Sequence, residues 1–309
     1  MKSLVTGGAG FIGSNLVDYL VSKGHKVIVL DNFCTGKKRN LSHHKKKNVK
    51  IVKIDISTNK KLNKYFKNVN YVFHLAGLAN VEESLKKPNK FFKSNVTGTY
   101  NIILASKKAN IKKFIFTASA SCYGVPNKLP TSETDKINIL HPYASTKWQA
   151  EKLIFSWVKK YNFPANSLRL FNVYGPRLNL TGAYKAVFGI FLSQKLKKKS
   201  LTITGNGDQT RDFVHIKDLV RALYMASKSK KVGQIYNVGS GKETKINKIA
   251  KLFGGKKIYV PKRRKDIYRS RADIKKIKSH LNWSPKVMIE KGTRDFLNFY
   301  KIKSKKNFY

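Results

Sequence analysis

The chain has 309 residues, 41% of them hydrophobic, and 64 Lys and Arg against 16 Asp and Glu give it a formal net charge of +48. This length supports one large α/β domain or two smaller ones, and only two cysteines exclude a disulfide framework or a cysteine-rich zinc set. There is no run of eighteen apolar residues and no signal-peptide pattern at the N-terminus, so we expect a cytoplasmic protein without a transmembrane helix.

The positive charge is compatible with binding to nucleic acid or to an anionic membrane. However, lysine runs recur along the whole chain, from "HHKKKNVK" to "KIKSKKNFY", and no zinc-finger or RNA-binding motif accompanies them. We therefore expect a basic surface without nucleic-acid or membrane partners, which would still steer anionic substrates inward.

Apolar strands alternate with helical segments over the first two thirds of the chain. This alternation predicts βαβ units and a parallel sheet, whereas after residue 173 the rhythm breaks among Gly and Pro residues. The sequence predicts strands at 2–6, 26–31, 49–56, 69–76, 111–119, 166–173 and 233–240, and long helices at 90–109 and 143–160.

A glycine-rich turn follows the first strand and opens a helix. Gly7, Gly10 and Gly13 allow a tight turn, close approach to a pyrophosphate and close helix packing, with the helix N-terminus as donor. Asp31 ends the second strand, eighteen residues after Gly13, where a carboxylate accepts hydrogen bonds from a ribose and favours NAD over NADP. The predicted cofactor contacts in this part of the chain are Gly7, Gly10, Phe11, Ile12, Gly13, Asp31, Asn32, Thr35, Gly36 and, more weakly, Asp55 and Ile56.

The stretch "PYASTKWQ" places Tyr143 and Lys147 four residues apart, on one face of a helix. A cationic amine beside a phenol lowers the phenol pKa and makes a general base usable near neutral pH. Alone, such a pair is most often a surface pair, but here it follows a dinucleotide turn and a hydroxyl-rich strand end at 117–121.

With these features the chain resembles the extended short-chain dehydrogenase/reductases of the NAD-dependent sugar-nucleotide epimerase/dehydratase family, and most of all their UDP-hexose and UDP-N-acetylhexosamine 4-epimerases. The resemblance implies an α/β fold with a Rossmann-type doubly wound parallel sheet and a smaller C-terminal substrate-binding lobe. It places the NAD-binding domain at 1–173 plus 213–240 and the sugar-nucleotide lobe at 174–212 plus 241–309. The motifs that carry it are "TGGAGFIGSNL", "HLAGLANVEES", "SNVTGTYNIILAS", "TASASCYG", "PYASTK", "RLFNVYGPR", "GNGDQTRDFVHIKDL" and "YNVGSG".

The resemblance also implies residue roles. Tyr143 is then the catalytic base, Lys147 holds the nicotinamide ribose, and Ser119 bridges the sugar O4 and the tyrosine. NAD is the implied cofactor, no metal is expected, and a homodimer would pair through 90–109 and 143–160. The further implied cofactor contacts are Leu75, Ala76, Gly77, Asn95 and Phe171, and the implied substrate contacts are Ser119, Ser121, Asn172, Ala186, Val187, Arg211, Arg263, Asp266 and Ser270.

The implied chemistry begins with proton removal from the sugar 4-hydroxyl and hydride transfer from C4 to NAD, which gives a 4-keto sugar. Related dehydratases carry Asp-Glu after the catalytic hydroxyl residue, and UDP-glucuronate decarboxylases typically carry Glu at the second position. Ala120 and Ser121 stand there instead. Return of the hydride to the other face, which is C4 epimerisation, is the outcome we expect. Cys122 could be imagined as a C5 base, although a packed thiol is the better interpretation.

The resemblance also bears on the sugar, because in UDP-hexose 4-epimerases a small residue at the position that Ser270 matches admits N-acetylhexosamines. A one-residue error in the match would bring in Arg269 or Arg271 instead. The sequence therefore favours UDP-GlcNAc/UDP-GalNAc, with UDP-glucose/UDP-galactose possible. The alternatives are a UDP-glucuronate 4-epimerase, a reductase or a dehydratase of the same family, and, well behind them, a nucleic-acid-binding protein that kept the fold.

Overall fold

The computed structural model describes residues 1–58, 61–178, 187–262 and 267–304. These residues contain thirteen strands. In chain order they are β1 (Lys2–Thr6), β2 (Lys26–Asp31), β3 (Val49–Lys53), β4 (Tyr71–His74), β5 (Lys113–Ser119), β6 (Ala165–Leu170), β7 (Asn172–Tyr174), β8 (Leu201–Thr204), β9 (Thr210–Arg211), β10 (Phe213–His215), β11 (Gln234–Val238), β12 (Thr244–Lys245) and β13 (Lys257–Val260).

Helices connect these strands. A π-helical turn, Lys93–Thr97, joins two of them into one helical run that covers most of the predicted helix 90–109. None of the described helices is long and apolar enough to cross a membrane. The helices are α1 (Phe11–Ser22), α2 (Val81–Lys86), α3 (Pro88–Phe92), α4 (Gly98–Lys108), α5 (Pro142–Tyr161), α6 (Val187–Leu196), α7 (Ile216–Lys228), α8 (Ile246–Phe253), α9 (Lys275–Leu281) and α10 (Ile289–Ser304).

Seven strands form one sheet in the order β11-β6-β5-β4-β1-β2-β3, and all of its pairings are parallel. The chain builds outward from β1 to β3 and then returns to β4 on the other side of β1. This reversal creates a switch point between β1 and β4, and a crevice opens there beyond the carboxyl ends of the strands. The Rossmann-type doubly wound sheet predicted from the sequence is confirmed.

Two apolar layers cover the sheet, one on each face. One layer includes α1 and α7 with Leu16, Leu20 and Leu223, and the other includes α4 and α5 with Ile102 and Ile154. Because both faces are buried, central strands such as β2, β4 and β5 read as nearly continuous apolar runs rather than as alternating ones.

An aromatic cluster forms a third apolar centre in the C-terminal part of the chain. Phe188 lies between Tyr174, Phe253 and Phe296, with ring centroids 4.3–5.5 Å apart. By contrast, Trp283 packs into the layer that contains α1 and α7. The residues after 241 therefore contribute both to the aromatic cluster and to the apolar layer that contains α1 and α7.

The predicted strand 166–173 is interrupted at Phe171, where the sequence pattern showed one strand. The Phe171 N–H donates to Val238 O at 3.0 Å, and the next N–H, that of Asn172, donates to Asp212 O at 3.0 Å. The chain therefore changes partner at Phe171: β6 pairs with β11, whereas β7 pairs with β10 in a separate sheet. The apolar run continues through the change, so the pattern alone could not reveal it.

Candidate active site

The glycine turn joins β1 to α1 where no side chain can be accommodated. Gly7 has a φ of +69°, and a Cβ there would lie 2.8 Å from Ala76 N. A Cβ on Gly13 would collide with the Gly7 carbonyl oxygen. Gly10 caps α1 and has no side chain that could bond the first N–H groups of the helix, which also lack an intrahelical acceptor. Such a helix start is suited to a pyrophosphate.

Asp31 ends β2 beside this turn. Its Oδ2 accepts a hydrogen bond from Ala9 N at 2.9 Å and its Oδ1 accepts one from Phe33 N at 2.8 Å. Burial raises the pKa of the carboxyl, and the two N–H groups lower it in part. Because each oxygen has a second lone pair, the fixed carboxylate can still accept bonds from the hydroxyls of a ribose.

A cavity of about 480 Å³ starts at the glycine turn and lies over the switch point. It continues past the end of β5 and the start of α5 to the segment 170–173 and to Arg211. Most of the residues predicted from the sequence line this one cavity. They are Gly7, Gly10, Phe11, Ile12, Gly13, Asp31, Asn32, Thr35, Asp55, Ile56, Leu75, Ala76, Gly77, Ser119, Ser121, Tyr143, Lys147, Phe171, Asn172, Arg211 and Ser270.

Three predicted contacts, Gly36, Asn95 and Val187, do not lie in the cavity wall. Asn95 is instead a brace: its amide accepts from Leu78 N at 2.7 Å and donates to Leu78 O and to Thr146 Oγ1, both at 3.0 Å. It therefore fixes the 75–80 loop against α5. The other predicted substrate contacts, Ala186, Arg263 and Asp266, lie outside the described residues.

Ser119 is the last residue of β5, and Ser121 stands in the short 3₁₀ turn that follows. The Ser119 hydroxyl donates to Ser121 Oγ at 2.9 Å and accepts from Ser121 N at 3.2 Å. No residue from 117 to 124 carries a carboxylate. Glu83 also lines the cavity, but it is engaged with Lys90 Nζ at 2.9 Å.

Tyr143 lies in the first turn of α5. The helix is capped by His141, whose Nδ1 accepts from Ala144 N at 3.1 Å, and Pro142 occupies the first helical position. The His141 ring is parallel to the Tyr143 ring, with 3° between planes and 5.9 Å between centroids. Cap and ring contact together fix where the phenol enters the cavity.

Lys147 lies one turn further along α5 and is buried. Its Nζ is 4.2 Å from the centroid of the Phe116 ring, within cation–π distance. Burial lowers the pKa of Lys147 to about 7, and the Glu151 carboxylate acts against this shift. Burial therefore makes the proton of this amine easier to lose than that of a surface lysine.

A buried polar network of Arg169, Glu151, Tyr123 and Asn237 lies next to the part of the site that contains Lys147. Arg169 donates to the Glu151 carboxylate and, at 2.9 Å, to the Tyr123 hydroxyl. Tyr123 in turn donates to Asn237 Oδ1 at 2.7 Å. Cys122 packs in the apolar layer that contains α1, where burial raises the pKa of its thiol to about 12. A thiolate at Cys122 is therefore not available near neutral pH, which disfavours its interpretation as a base.

Ser270 lines the cavity, whereas its neighbours Arg269 and Arg271 do not. The Arg269 guanidinium turns away and binds the Glu243 carboxylate at 2.6 and 2.9 Å. Among Arg269, Ser270 and Arg271, the three candidates for the position beside the sugar, only Ser270 thus lies in the cavity wall.

The sequence analysis overlooked several residues of the wall, among them Cys34, Asn80 and Tyr123. A signal existed for Asn80, because Asn-x-x-Glu in "NVEE" is a helix-start pattern and Asn80 Oδ1 accepts from Glu83 N at 3.0 Å. Cys34 lies between the predicted contacts Asn32 and Thr35, and Tyr123 lies two residues after Ser121, so their places in the chain were a signal as well.

A dinucleotide turn, a fixed strand-end carboxylate and a Ser–Tyr–Lys group around one cavity define a dinucleotide-dependent enzyme of the short-chain dehydrogenase/reductase type. The model of the NAD dependent epimerase/dehydratase family matches residues 3–239 of the chain. The chain belongs to this family, and NAD is its cofactor.

Relatives extend the similarity over nearly the whole length. A provisionally named UDP-glucose 4-epimerase of Methanocaldococcus jannaschii is 39% identical over 308 residues, which cover 96% of this chain and 98% of the relative. UDP-glucuronic acid decarboxylase 4 of Arabidopsis thaliana is 33% identical over 304 residues, covering 94% of this chain and 67% of the relative. The solved UDP-N-acetylglucosamine 4-epimerase of Methanobrevibacter ruminantium, in complex with UDP-N-acetylmuramic acid, superposes with a TM-score of 0.93 at 33% identity and 98% coverage of both chains.

Proposed function

We propose that the protein is a UDP-sugar 4-epimerase that inverts the configuration at the sugar C4 and regenerates its NAD in each catalytic cycle. One observation carries the proposal: Ser119, Tyr143 and Lys147 line the same cavity as the glycine turn, and the strand end beside them has no carboxylate. The similarity to two 4-epimerases supports it.

NAD, when bound, supplies a hydride acceptor and donor at the sugar C4. The chain's own residues manage the proton and the geometry. Tyr143, as phenolate, takes the proton of the C4 hydroxyl and later returns it, and the Lys147 ammonium stabilises the phenolate. Ser119 holds the C4 oxygen next to the phenol through its hydroxyl. Its present bond to Ser121 shows that this hydroxyl can donate toward a neighbouring oxygen.

The same arrangement argues against elimination of water as the main outcome. Loss of the C6 hydroxyl as water needs an acid and a base near C5 and C6. Ala120 and Ser121 supply neither, and Cys122 is buried with a raised pKa. A 4-keto sugar that can only be reduced again is either restored or inverted, and inversion is the productive result.

Within this class we propose N-acetylhexosamine substrates, UDP-GlcNAc and UDP-GalNAc, ahead of UDP-glucose and UDP-galactose. The support is the small Ser270 side chain in the cavity wall, which leaves room that a bulky residue would fill. Arg211, also in the wall, has the planar guanidinium suited to a diphosphate.

The direct test is turnover by purified enzyme on UDP-GlcNAc, UDP-glucose and UDP-glucuronate, followed by NMR of the anomeric protons. We expect UDP-GalNAc from UDP-GlcNAc, without net NADH and without loss of water or carbon dioxide. Tyr143→Phe should lower the rate about 10³-fold, because it removes the base while keeping the ring. A 4-keto-6-deoxy sugar or a pentose as product, or full activity of Tyr143→Phe, would refute the proposal.

We also propose a homodimer. Tyr100 on α4 and Trp157 on α5 meet edge to face at 6.3 Å, so these helices form one surface. Leu85, Phe92, Tyr100 and Tyr161 on this helical part of the chain are exposed. Burying them against the same surface of a second copy removes this apolar area from water.

A further inference from the structure

Outside the cavity, Asp18, His43 and His44 bring three metal-ligating groups to one point. Asp18 lies on α1, and the two histidines lie in the segment between β2 and β3. The Nε2 atoms of His43 and His44 are 2.9 and 2.7 Å from the same oxygen, Asp18 Oδ1. The three ligand atoms all lie within 4.8 Å of one another.

The two imidazoles are consecutive in sequence, yet their rings turn to the same side. Their centroids are 4.1 Å apart, with 39° between the ring planes. In a tetrahedral site with metal–ligand distances of about 2.0–2.1 Å, ligand atoms stand about 3.3 Å apart. The two distances from Nε2 to Asp18 Oδ1 therefore need to lengthen by only about half an ångström to reach this spacing.

The other carboxylate oxygen is already held. Arg177 donates to Asp18 Oδ2 at 2.7 Å, which fixes the carboxylate and leaves Oδ1 to the histidines. Carboxylate ligands of metals are commonly fixed by such outer hydrogen bonds. Because Arg177 offsets the charge of Asp18, affinity must come mainly from the imidazoles. This favours borderline ions such as Zn²⁺ over Mg²⁺ or Ca²⁺.

We propose that Asp18, His43 and His44 form a binding site for one divalent transition-metal ion, with Zn²⁺ the expected occupant. The His44 side chain is 9% exposed and forms the inner wall, whereas His43 is 49% exposed and leaves the ion accessible to solvent. Binding uses the Nε2 lone pair of each ring, so an imidazole that carries its proton on Nε2 transfers it to Nδ1, with no net gain or loss of protons. The ion would tie the 38–48 segment, which follows the ribose-side loop, to the helix that begins at the glycine turn.

The test is a titration of chelator-treated protein with Co²⁺, read by visible absorption, and with Zn²⁺ against a chromophoric chelator. We expect one ion per chain and the intense absorption of four- or five-coordinate Co²⁺. His43→Ala and the His43→Ala/His44→Ala pair should weaken binding by more than the 10–100-fold typical of outer-shell changes. The control, His280→Ala, removes a histidine next to Tyr236 and should bind as the parent does.

His44 is largely buried, so its replacement could disturb folding. His43→Ala and Asp18→Asn change more exposed side chains, so their effect on metal binding then tests the proposal. Circular dichroism should confirm that each variant keeps its fold. If no stoichiometric ion binds, the three residues form only a hydrogen-bonded cluster. If binding survives in the double variant, the ion lies elsewhere. Either result overturns the proposal.

Discussion

At the scale of single residues, Ser270 is the position at which the proposed choice of sugar substrate can be tested most directly. Its small side chain lies in the cavity wall between two arginines that do not reach the cavity. A side chain added here projects into the space proposed for the C2 substituent. Sugar preference should thus depend on the volume of one residue, while the proton chemistry depends on Tyr143 and Lys147.

Ser270→Tyr should therefore lower kcat/KM for UDP-GlcNAc by at least about tenfold, because a clash worth about 1.4 kcal/mol has that effect. Turnover of UDP-glucose, measured on the same preparation, should change little and serves as the internal control. Equal losses on both sugars would show that Ser270 does not face the C2 substituent.

The residues of the site differ in how well they could be predicted from the sequence. Tyr143, Lys147 and the glycines are tied to local patterns, and they line the cavity as predicted. Asn95 carries a family motif, but its amide is consumed by Leu78 and Thr146, contacts between segments far apart in sequence. Polar side chains that satisfy distant backbone groups cannot be separated from ligand contacts by pattern alone.

At the scale of elements, α5 carries both proposed proton-handling residues in its first two turns. An imidazole caps it, and burial lowers the pKa of His141, so the neutral ring accepts the Ala144 N–H. A histidine cap differs from a serine cap because protonation turns its acceptor into a donor. With a lowered pKa in the fold, the cap's stabilisation is present above the unfolded value near 6.5 and is lost as the pH falls below it.

We expect His141→Ala to lose the cap, at about 1 kcal/mol of unfolding free energy, and to lower kcat because Tyr143 is less well placed. His141→Ser keeps an oxygen acceptor and should retain activity with a flatter acid limb of the pH–kcat profile. Measuring both variants from pH 5 to 8 separates capping from titration. Indistinguishable behaviour of the alanine and serine variants would contradict a capping role.

The ends of strands were predicted correctly where a glycine turn or a polar residue ends the apolar run. The first two strands, β1 and β2, have the predicted ends, set by the glycine turn and by Asp31. The strand predicted over 166–173 breaks at Phe171 because Asp212 O captures the next N–H. The π-helical turn at Lys93–Thr97 was equally invisible, since a helical pattern does not report one inserted residue.

At the scale of the whole molecule, two buried histidines should control acid stability. Burial, with Lys147 nearby, lowers the pKa of His74 to about 3, and its ring nitrogens are bonded to Thr6 and Thr99. Burial lowers the pKa of His215 to about 4. Below pH 6.5 the unfolded chain takes up protons that the folded chain refuses, so stability falls with pH.

The free energy of unfolding should therefore fall by about 1.4 kcal/mol per pH unit for each histidine between about pH 6 and pH 4. Urea unfolding at a series of pH values measures this slope. His74→Gln should remove the share of one histidine from this slope. A stability that is constant between pH 6 and pH 4.5 would contradict the prediction.

The proposed dimer is also a property of the whole molecule. Light scattering after gel filtration should give twice the chain mass, and Phe92→Asp should shift it toward the single-chain mass by placing a charge in the interface. Leu196→Asp, at a comparably exposed apolar residue on α6, is the matched control. A parent protein that runs at the mass of one chain would refute the dimer.

The change of partner at Phe171 has an evolutionary consequence. One ten-residue stretch, 165–174, serves two sheets, with Leu168 packed in the core of the large sheet while Asn172 and Val173 border the cavity from the small one. Substitutions after Phe171 can reshape the substrate side without touching the hydrogen bonds that hold the cofactor side. A change of sugar preference is thus accessible through few substitutions while the cofactor side stays intact.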